Sequence, residues 1–461
     1  MTAVEEVFVV TSSGSGHLFP CIELCKHISS RNYKTTLILS SAVPSSFHPL
    51  LSTFEIHHSS AGDHPTQPQT GLDLETHLAT RSNDKDSIRP LCAIIDFQMG
   101  WTKHIFWKFN VPVISFFTFG ACAAAMEWGA WKCEASNMVS GEVRTIPGLP
   151  EEMVVTYSDC KRRPKRPSGT GGGGGGPPKP GDKPPWVPLV EGSVGLLFNT
   201  CDDLERPFIN YLTNELGMPV CGVGPLLPEQ YWQSHDLLIH DRLIRQSKNH
   251  SNCSEDEVIQ WLDSKPRGSA IYVAFGSQLG PTMEEYPQLA GALEDSIRPF
   301  IWVIQSGSGL PNPNESDQGY VPHGLQAKVG DRGLIIRGWA PQLLILSHPS
   351  TGGFLSHCGW NSTVEAIGQG VPFLAWPIRG DQIYNAKLVV NYLKVGYMTL
   401  HGDTLEMVKR EDIGQGIEKL MCDEEVHKGA AELRIKLGRS FPPSSEASLD
   451  VFRDFIIQKT I

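Results

Sequence analysis

The amino-acid sequence predicts an α/β protein with two doubly wound, Rossmann-like domains. With 461 residues, the chain is too long for one ordinary core, which favours two domains of roughly 200 residues each. Short apolar runs rich in β-favouring residues recur along it, and stretches of helical length separate many of them. That alternation is typical of parallel sheets with crossover helices. A polar gap near the middle divides the runs into two sets.

The first set of predicted strands comprises Val7–Thr11, Thr35–Leu39, Ala93–Ile95, Val113–Phe116 and Leu196–Phe198. The second set comprises Ile271–Phe275, Phe300–Ile304, Leu334–Ile336, Gly353–Ser356 and Phe373–Trp376. We therefore predict an N-terminal domain over 1–228, a linker over 229–255, a C-terminal domain over 256–444 and a final helix over 445–461. Within the first domain, Lys161 to Trp186 contains six consecutive glycines, many prolines and seven basic residues. Such a segment buries too little apolar surface to fix its backbone, so we expect a mobile loop there.

Composition excludes several classes of partner. Hydrophobic residues make up 40% of the chain and charged residues 19%, as in soluble globular proteins, and no apolar run reaches about 18 residues. The N-terminus carries acidic rather than basic residues before a short strand, unlike a signal peptide. A net charge of −11 argues against nucleic acid as a partner. The eleven scattered cysteines lack a CxxC pair and suit free thiols. We expect a cytoplasmic monomer without membrane insertion.

The most informative block runs from Trp339 to Gln382. A predicted short strand and a helix over Thr363–Gln369 flank the turn HCGWNS. The N–H groups and the positive dipole end of such a helix suit a diphosphate. Side chains within the turn add hydrogen-bond donors, and the block closes on two side chains, Asp381 and Gln382, that can bind sugar hydroxyls.

A second group of candidate residues follows two strands of the first set. His17 stands in SSGSGHLFP, directly after the first strand and at the start of a helix, where parallel α/β sheets bind ligands. Asp96 ends the strand Ala93–Ile95. A carboxylate bound to one imidazole nitrogen would fix the tautomer of a general base and stabilise its protonated form. The alternative is that Asp96 only caps a turn.

These motifs resemble, residue by residue, the plant family 1 UDP-dependent glycosyltransferases, which have the GT-B fold of two Rossmann-like domains facing a cleft. The resemblance implies that His17 is the catalytic base, that Asp96 is its partner and that a UDP-sugar is the donor. It places Trp339 on the uracil and Glu365 on the ribose. The implied donor-binding residues are Thr118, Ser277, Trp339, Ala340, Gln342, His357, Gly359, Trp360, Asn361, Ser362, Glu365, Asp381 and Gln382.

The family mechanism implied here is a one-step displacement that inverts the anomeric centre and yields a β-glycoside. We expect no metal requirement, because the only D-x-D pattern, Asp84 to Asp86, carries little weight. By analogy, Gln382 suggests glucose. Aromatic and flexible apolar side chains suit a flat phenolic acceptor such as a flavonoid, with a terpenoid, a hormone or C-glycosylation as alternatives. The candidate acceptor residues are Phe97, Met99, Phe119, Met126 and Trp128.

Three alternatives stay open at this point. An NAD-dependent oxidoreductase fits poorly, since Phe19 stands where G-x-G-x-x-G needs glycine or alanine, and serines end the second strand. A binding protein without turnover could keep the donor block, although it would be free to lose His17 and Asp96. Ser362 and Glu365 also form the pattern of a helix capping box, and the tryptophans of the block could belong to the core.

Overall fold

The computed structural model describes residues 5–40, 55–58, 67–84, 88, 90–161, 181–233, 238–241, 251–276, 280–305, 308, 320, 322–400, 406–438, 440–451, 454 and 456. The chain forms two compact units. The first comprises Met1–Ala121, Lys183–Pro228 and Phe441–Ile461, and the second comprises Cys122–Asp182 and Glu229–Ser440. Residues 122–182 thus group with the second unit, whereas the sequence suggested one domain up to residue 228.

The strands, numbered in chain order, are β1 Glu6–Thr11, β2 Lys34–Leu39, β3 Glu55–His58, β4 Pro90–Asp96, β5 Val113–Phe117, β6 Val143–Arg144, β7 Val155–Thr156, β8 Leu196–Phe198, β9 Val220–Gly222, β10 Ala270–Ala274, β11 Phe300–Ile304, β12 Gly333–Arg337, β13 Thr351–Ser356, β14 Phe373–Ala375 and β15 Gly396–Met398. The α-helices are α1 Ser15–Ser29, α2 Gln67–Asn83, α3 Lys103–Lys108, α4 Ala121–Lys132, α5 Tyr157–Lys161, α6 Val187–Val190, α7 Asp202–Leu216, α8 Glu229–Gln233, α9 Glu255–Asp263, α10 Glu285–Asp295, α11 Leu325–Val329, α12 Gln342–Ser347, α13 Trp360–Gln369, α14 Gln382–Lys387, α15 Arg410–Cys422, α16 Glu424–Leu437 and α17 Pro443–Asp450.

The first unit contains a seven-stranded parallel sheet in the order β3-β2-β1-β4-β5-β8-β9. Every residue of β1 is buried, as expected for a central strand that helices cover on both faces. The five strands predicted for this unit are present. The sequence reading missed β3 and β9, which lie at the two edges and are four and three residues long.

The second unit contains a six-stranded parallel sheet in the order β12-β11-β10-β13-β14-β15. All five predicted strands of the second set are present, and β15, a three-residue edge strand, was missed. A separate antiparallel ribbon pairs β6 with β7. The apolar core of this unit includes Trp302 and Trp376, and the Trp376 ring meets Phe275 edge-on at 5.4 Å.

Strand order determines where each unit can hold a ligand. In the first sheet the chain moves to one side of β1 and then returns to the other, so the order reverses between β1 and β4. In the second sheet the reversal lies between β10 and β13. Open α/β sheets bind ligands beyond the carboxyl ends of the strands at such a switch point. His17 and Asp96 follow or end the two strands at the first switch point, and Gly276 and His357 follow those at the second.

The C-terminal segment packs within the first unit. Arg31 Nε donates to Asp450 Oδ1 at 2.8 Å, and the Arg31 guanidinium also pairs with Glu446. Ser445 Oγ donates to the Gly224 carbonyl at 2.6 Å. Helix α17 covers residues 443–450, and Phe452 and Phe455 of the predicted final helix lie outside the described residues. The final helix therefore stays a prediction beyond residue 450.

Two further expectations concern cysteines and membranes. All eleven cysteines are free thiols, and seven of them are buried, as the sequence led us to expect. Of the helices in the described ranges, none is both long and apolar enough to cross a lipid bilayer.

Candidate active site

The first candidate cluster joins His17 to Asp96. His17 lies in the first turn of α1, where its backbone N–H donates to the Gly14 carbonyl at 2.9 Å. Its Nδ1 lies 2.7 Å from Oδ2 of Asp96, the last residue of β4. The imidazole is 21% exposed, whereas the carboxylate is fully buried. A buried carboxylate therefore contacts one side of an imidazole that is itself partly exposed to solvent.

The surroundings of Asp96 fix its two oxygens separately. Oδ1 accepts from the backbone N–H of Gln98 at 3.2 Å and caps a 3₁₀ turn over Phe97–Thr102. Oδ2 accepts from Thr11 Oγ1 at 3.1 Å and binds His17. Asp96 thus caps a turn and also contacts His17, with a different oxygen for each, so capping is not its only contact.

Hydrogen-bond chemistry assigns the tautomer of His17. An ionised carboxylate only accepts hydrogen bonds, so the Nδ1–H of His17 donates to Asp96 and Nε2 keeps a lone pair. Thr118 Oγ1 lies 3.3 Å from the same Nδ1. The backbone of Thr118 is fixed in turn, because Asn199 Nδ2 donates to its carbonyl at 3.1 Å. In its neutral form, the imidazole thus directs its basic nitrogen, Nε2, away from the carboxylate.

The second candidate cluster surrounds the N-terminus of α13. The helix begins at Trp360 with Gly359 as its N-cap, three residues before the predicted start at Thr363. The glycine at the N-cap has no side chain that could cap this end, and the backbone N–H groups of the first turn point outward along the helix axis. The capping-box alternative for Ser362 is therefore wrong, because Ser362 already lies inside the helix. Asn361 is partly exposed in the same turn.

His357 occupies a tight position beside this helix end. A Cβ atom placed on Gly276 would lie 2.6 Å from His357 Nε2, and one placed on Gly359 would lie 2.5 Å from the same nitrogen. Burial lowers the pKa of His357 to about 4, so the ring is neutral at physiological pH. Among the described residues, its Nδ1 atom has no hydrogen-bond partner. Two glycines thus make room for a neutral imidazole with an unused nitrogen.

A hydrogen-bond network links α12 to α13. Gln342 Nε2 donates to Glu365 Oε2 at 2.7 Å and to Ser362 Oγ at 3.0 Å. Tyr272 donates its hydroxyl to Gln342 Oε1 at 3.2 Å, and Tyr231 donates to the Glu365 carbonyl at 2.7 Å. Sequence reasoning named Gln342, Ser362 and Glu365 but missed both tyrosines. Their hydroxyls bind residues that are distant in sequence, and no local pattern marks such a contact.

The last two candidates lie at the start of α14, with Asp381 as its N-cap and Gln382 as its first residue. Gln382 Oε1 accepts from the backbone N–H groups of Ile378 and Arg379, each at 3.0 Å. Asp381 Oδ2 accepts from Asn385 Nδ2 at 2.8 Å, and the same amide donates to the Cys358 carbonyl at 3.0 Å. These bonds fix the start of the helix against the HCGWNS turn.

The remaining donor candidates divide by exposure. Trp339 and Ala340 are partly exposed after β12, whereas Trp360 is buried. Ser277 lies outside the described residues, as does Asp86 of the D-x-D pattern. Within the described ranges, no three histidine, cysteine or acidic side chains gather in a way that could hold a metal ion.

Comparison with known proteins supplies the family. Residues 245–437 match the UDP-glucoronosyl and UDP-glucosyl transferase family. The chain is 34% identical to a scopoletin glucosyltransferase from Nicotiana tabacum over 353 residues, which cover 74% of this chain and 68% of that relative. The chain belongs to the UDP-glycosyltransferase family. It is an enzyme that transfers a sugar from a UDP-sugar, and the resemblance to plant family 1 members is confirmed.

Solved structures agree with the fold of this glycosyltransferase. UGT2 of Phytolacca americana, in complex with UDP-2-fluoro-glucose and pterostilbene, is 25% identical, with a TM-score of 0.72 over 98% of this chain and 100% of that one. A Polygonum tinctorium UDP-glucosyltransferase capable of glucosylating indoxyl is also 25% identical, with a TM-score of 0.73 over 99% of each chain. The predicted GT-B fold is confirmed.

The acceptor candidates of the glycosyltransferase separate into two groups. Phe97 and Phe119 are partly exposed and meet edge-on at 5.5 Å, and the Phe97 ring lies 6.4 Å from that of His17. In contrast, Met99, Met126 and Trp128 are buried. Burial suits a core role for these three, so of the five candidates the two phenylalanines are the ones with exposed ring surface.

Proposed function

We propose that this enzyme transfers glucose from UDP-glucose to a hydroxyl group of a small phenolic acceptor, with inversion at the anomeric carbon. In this reaction His17 Nε2 removes the proton of the acceptor hydroxyl. The oxygen then attacks the anomeric carbon from the face opposite the diphosphate, the bond to the diphosphate oxygen breaks, and UDP leaves. The product is a β-glucoside, and the proton remains on the imidazole until solvent removes it.

The observation that carries the proposal is the pairing of His17 Nδ1 with the buried Asp96 carboxylate at 2.7 Å. A base must take a proton on one nitrogen and carry positive charge, and a carboxylate on the other nitrogen stabilises that charge. Thr11 and Gln98 hold the carboxylate in place. A protein that bound nucleotide sugars without turnover would have no use for this arrangement.

Stabilisation of the leaving group is assigned to the second cluster. The diphosphate gains negative charge as the bond to the anomeric carbon breaks, and the N-terminus of α13, whose N-cap is a glycine, suits an anion there. His357 lies beside this helix end and is neutral, so it contributes no positive charge. We assign the diphosphate to these groups, the uracil to Trp339, with contacts from Ala340, and the ribose to Glu365.

We assign the sugar of the donor to the residues at the start of α14. Because Gln382 Oε1 is engaged by two backbone N–H groups, its amide N–H groups are the part that faces a sugar hydroxyl. Asp381 supplies a carboxylate acceptor beside it, and Ser277 and Thr118 complete the proposed donor set. Glucose is supported by the relatives named for glucosyl transfer.

We assign the acceptor to the aromatic side chains near His17. Phe97 and Phe119 offer a ring face and a ring edge to a flat acceptor, and Phe97 stacks on Phe117 at 5.0 Å, which fixes its plane. Relatives are described with scopoletin, pterostilbene and indoxyl, all of which are small hydroxylated aromatic molecules. We therefore favour a flavonoid or related polyphenol over a terpenoid or a hormone, and an oxygen over a carbon nucleophile.

The test is UDP release from UDP-glucose with a panel of flavonoids, simple phenols and terpenoids, in EDTA, with products analysed by mass spectrometry. We expect one hexose added to a phenolic acceptor, undiminished turnover in EDTA, and a product that a β-glucosidase cleaves. His17→Ala should abolish transfer and leave the Kd for UDP nearly unchanged. Turnover only on terpenoids, a product that is stable to acid hydrolysis, or loss of activity in EDTA would each contradict a stated part of the proposal.

A further inference from the structure

We infer that Tyr272 is a positioning residue for the nucleoside: its hydroxyl fixes the Gln342 amide, and that amide sets the orientation of the Glu365 carboxylate toward ribose. The inference rests on the proposed roles of Gln342 and Glu365. Tyr272 lies in β10, beside the switch point of the second sheet, and contributes no atom to the donor set that the sequence predicted.

The tyrosine itself is immobilised. Tyr272 is only 2% exposed, and its ring stacks on the ring of Phe354 at a centroid distance of 4.8 Å. The hydroxyl therefore has a fixed position, 3.2 Å from Gln342 Oε1. Substitution by phenylalanine removes this hydroxyl and keeps the ring packing.

The amide of glutamine has two chemically different ends, and each has its own partner here. The Glu365 carboxylate only accepts, so it takes the Nε2 end, which also donates to Ser362 Oγ, and the Tyr272 hydroxyl donates to the Oε1 end. Without that hydroxyl, Oε1 loses this partner and the amide is held at one end only. The amide can then leave its position, and the carboxylate loses this donor and the orientation that it fixes.

Glu365 depends on this support because its environment is closed. The residue is fully buried, and Tyr231 binds its backbone carbonyl at 2.7 Å. Gln342, by comparison, is partly exposed at the start of α12. A ribose that approaches therefore meets the Gln342 amide first, and its access to the Glu365 carboxylate depends on where that amide is held.

The test compares the Kd values of UDP and 2′-deoxy-UDP by calorimetry, since only UDP has the 2′-hydroxyl. We expect the wild type to favour UDP, and Tyr272→Phe to weaken UDP about tenfold with little change for 2′-deoxy-UDP. With UDP-glucose as substrate, KM should rise by a similar factor while kcat stays near its normal value. A melting curve for each variant verifies folding.

Two further variants make the test specific. Tyr286→Phe removes a hydroxyl from another buried tyrosine of the same unit, one that hydrogen-bonds Ser308, and should leave the UDP preference unchanged. Gln342→Met should abolish the preference, and adding Tyr272→Phe to it should cause no further loss, because both changes act through one chain of bonds.

The outcomes distinguish a failure of the role inferred for Tyr272 from a failure of the ribose role proposed for Glu365. If Glu365→Gln abolishes the preference for UDP but Tyr272→Phe preserves it, the inference is wrong and the role of Glu365 stands. If the wild type does not distinguish the two nucleotides, the proposed ribose role of Glu365 fails, and the inference fails with it.

Discussion

Lys387 Nζ lies 2.5 Å from Asp159 Oδ2, and both side chains are more than nine-tenths buried. Lys387 also donates to the Val154 carbonyl at 2.8 Å, and Asp159 accepts from the backbone N–H of Thr156 at 2.7 Å. The pair therefore fastens the segment around α5 to the end of α14, the helix that begins at Gln382.

This pair predicts a strongly non-additive pattern of stability. Asp159→Asn or Lys387→Met alone leaves one buried charge without its partner and should lower the free energy of unfolding by about 3–5 kcal/mol. The double variant should be more stable than the sum of the two losses implies, because no unpaired charge remains. Urea unfolding of all four proteins measures the coupling, and additive losses would show that the pair is not an energetic unit.

The close packing around His357 predicts that a methyl group added at Gly359 weakens UDP binding. Gly359→Ala keeps an allowed backbone conformation, but the new Cβ would lie 2.5 Å from His357 Nε2 and must displace the ring. We expect a loss of UDP affinity of tenfold or more. Gly414→Ala is the matched control, because its Cβ would meet no atom within 4 Å and alanine favours the interior of α15. Equal affinities for the two variants would contradict this view of the site.

The lowered pKa of His357 predicts a dependence of stability on pH. In the folded protein this pKa is about 4, below the ordinary value of 6.5, so the unfolded chain binds the proton first as pH falls. The stability contribution is therefore complete above pH 6.5 and is lost between pH 6.5 and 4, by up to about 3 kcal/mol. His357→Gln should remove this part of the slope. Unfolding curves of both proteins from pH 4 to 8 measure the difference, and parallel profiles would contradict it.

The His17–Asp96 contact predicts a loss of turnover from Asp96→Asn. The amide can present an N–H to Nδ1, which favours the opposite tautomer and removes the lone pair from Nε2. We expect kcat to fall by about 10²–10⁴, with the Kd for UDP nearly unchanged. Thr11→Val, which removes only one hydrogen bond to Asp96 Oδ2, should cost far less. A small effect of Asp96→Asn would mean that the carboxylate orients nothing essential.

The parts of the structure that depend on local pattern could be predicted from the sequence. Buried central strands such as β1 and β13 read as apolar runs, and the positions of His17 and Asp96 at strand ends placed them at one switch point. The short edge strands could not be predicted, because runs of three or four residues are too short to show a distinctive pattern. Tyr272 was missed for another reason, since its hydroxyl partner lies 70 residues away in sequence.

The acceptor residues show the same limit. Phe97 and Trp128 are both large aromatic residues near a predicted strand or helix, and nothing in the sequence distinguishes the partly exposed ring from the buried one. Exposure follows from tertiary packing, which the order of residues alone does not reveal. Likewise, Gly276 and Gly359 could be read as turn residues, but their shared contact with one imidazole required coordinates.

Asp96 uses one oxygen to bind His17 and the other to cap the turn that carries Phe97. Under the proposed role of Phe97, a redesign for a new acceptor would exchange residues in the 97–102 turn. Such exchanges alter the backbone that the carboxylate caps, so we expect them to disturb its contact with His17 as well. Acceptor range and turnover should therefore change together, and libraries that vary the turn should be screened for both.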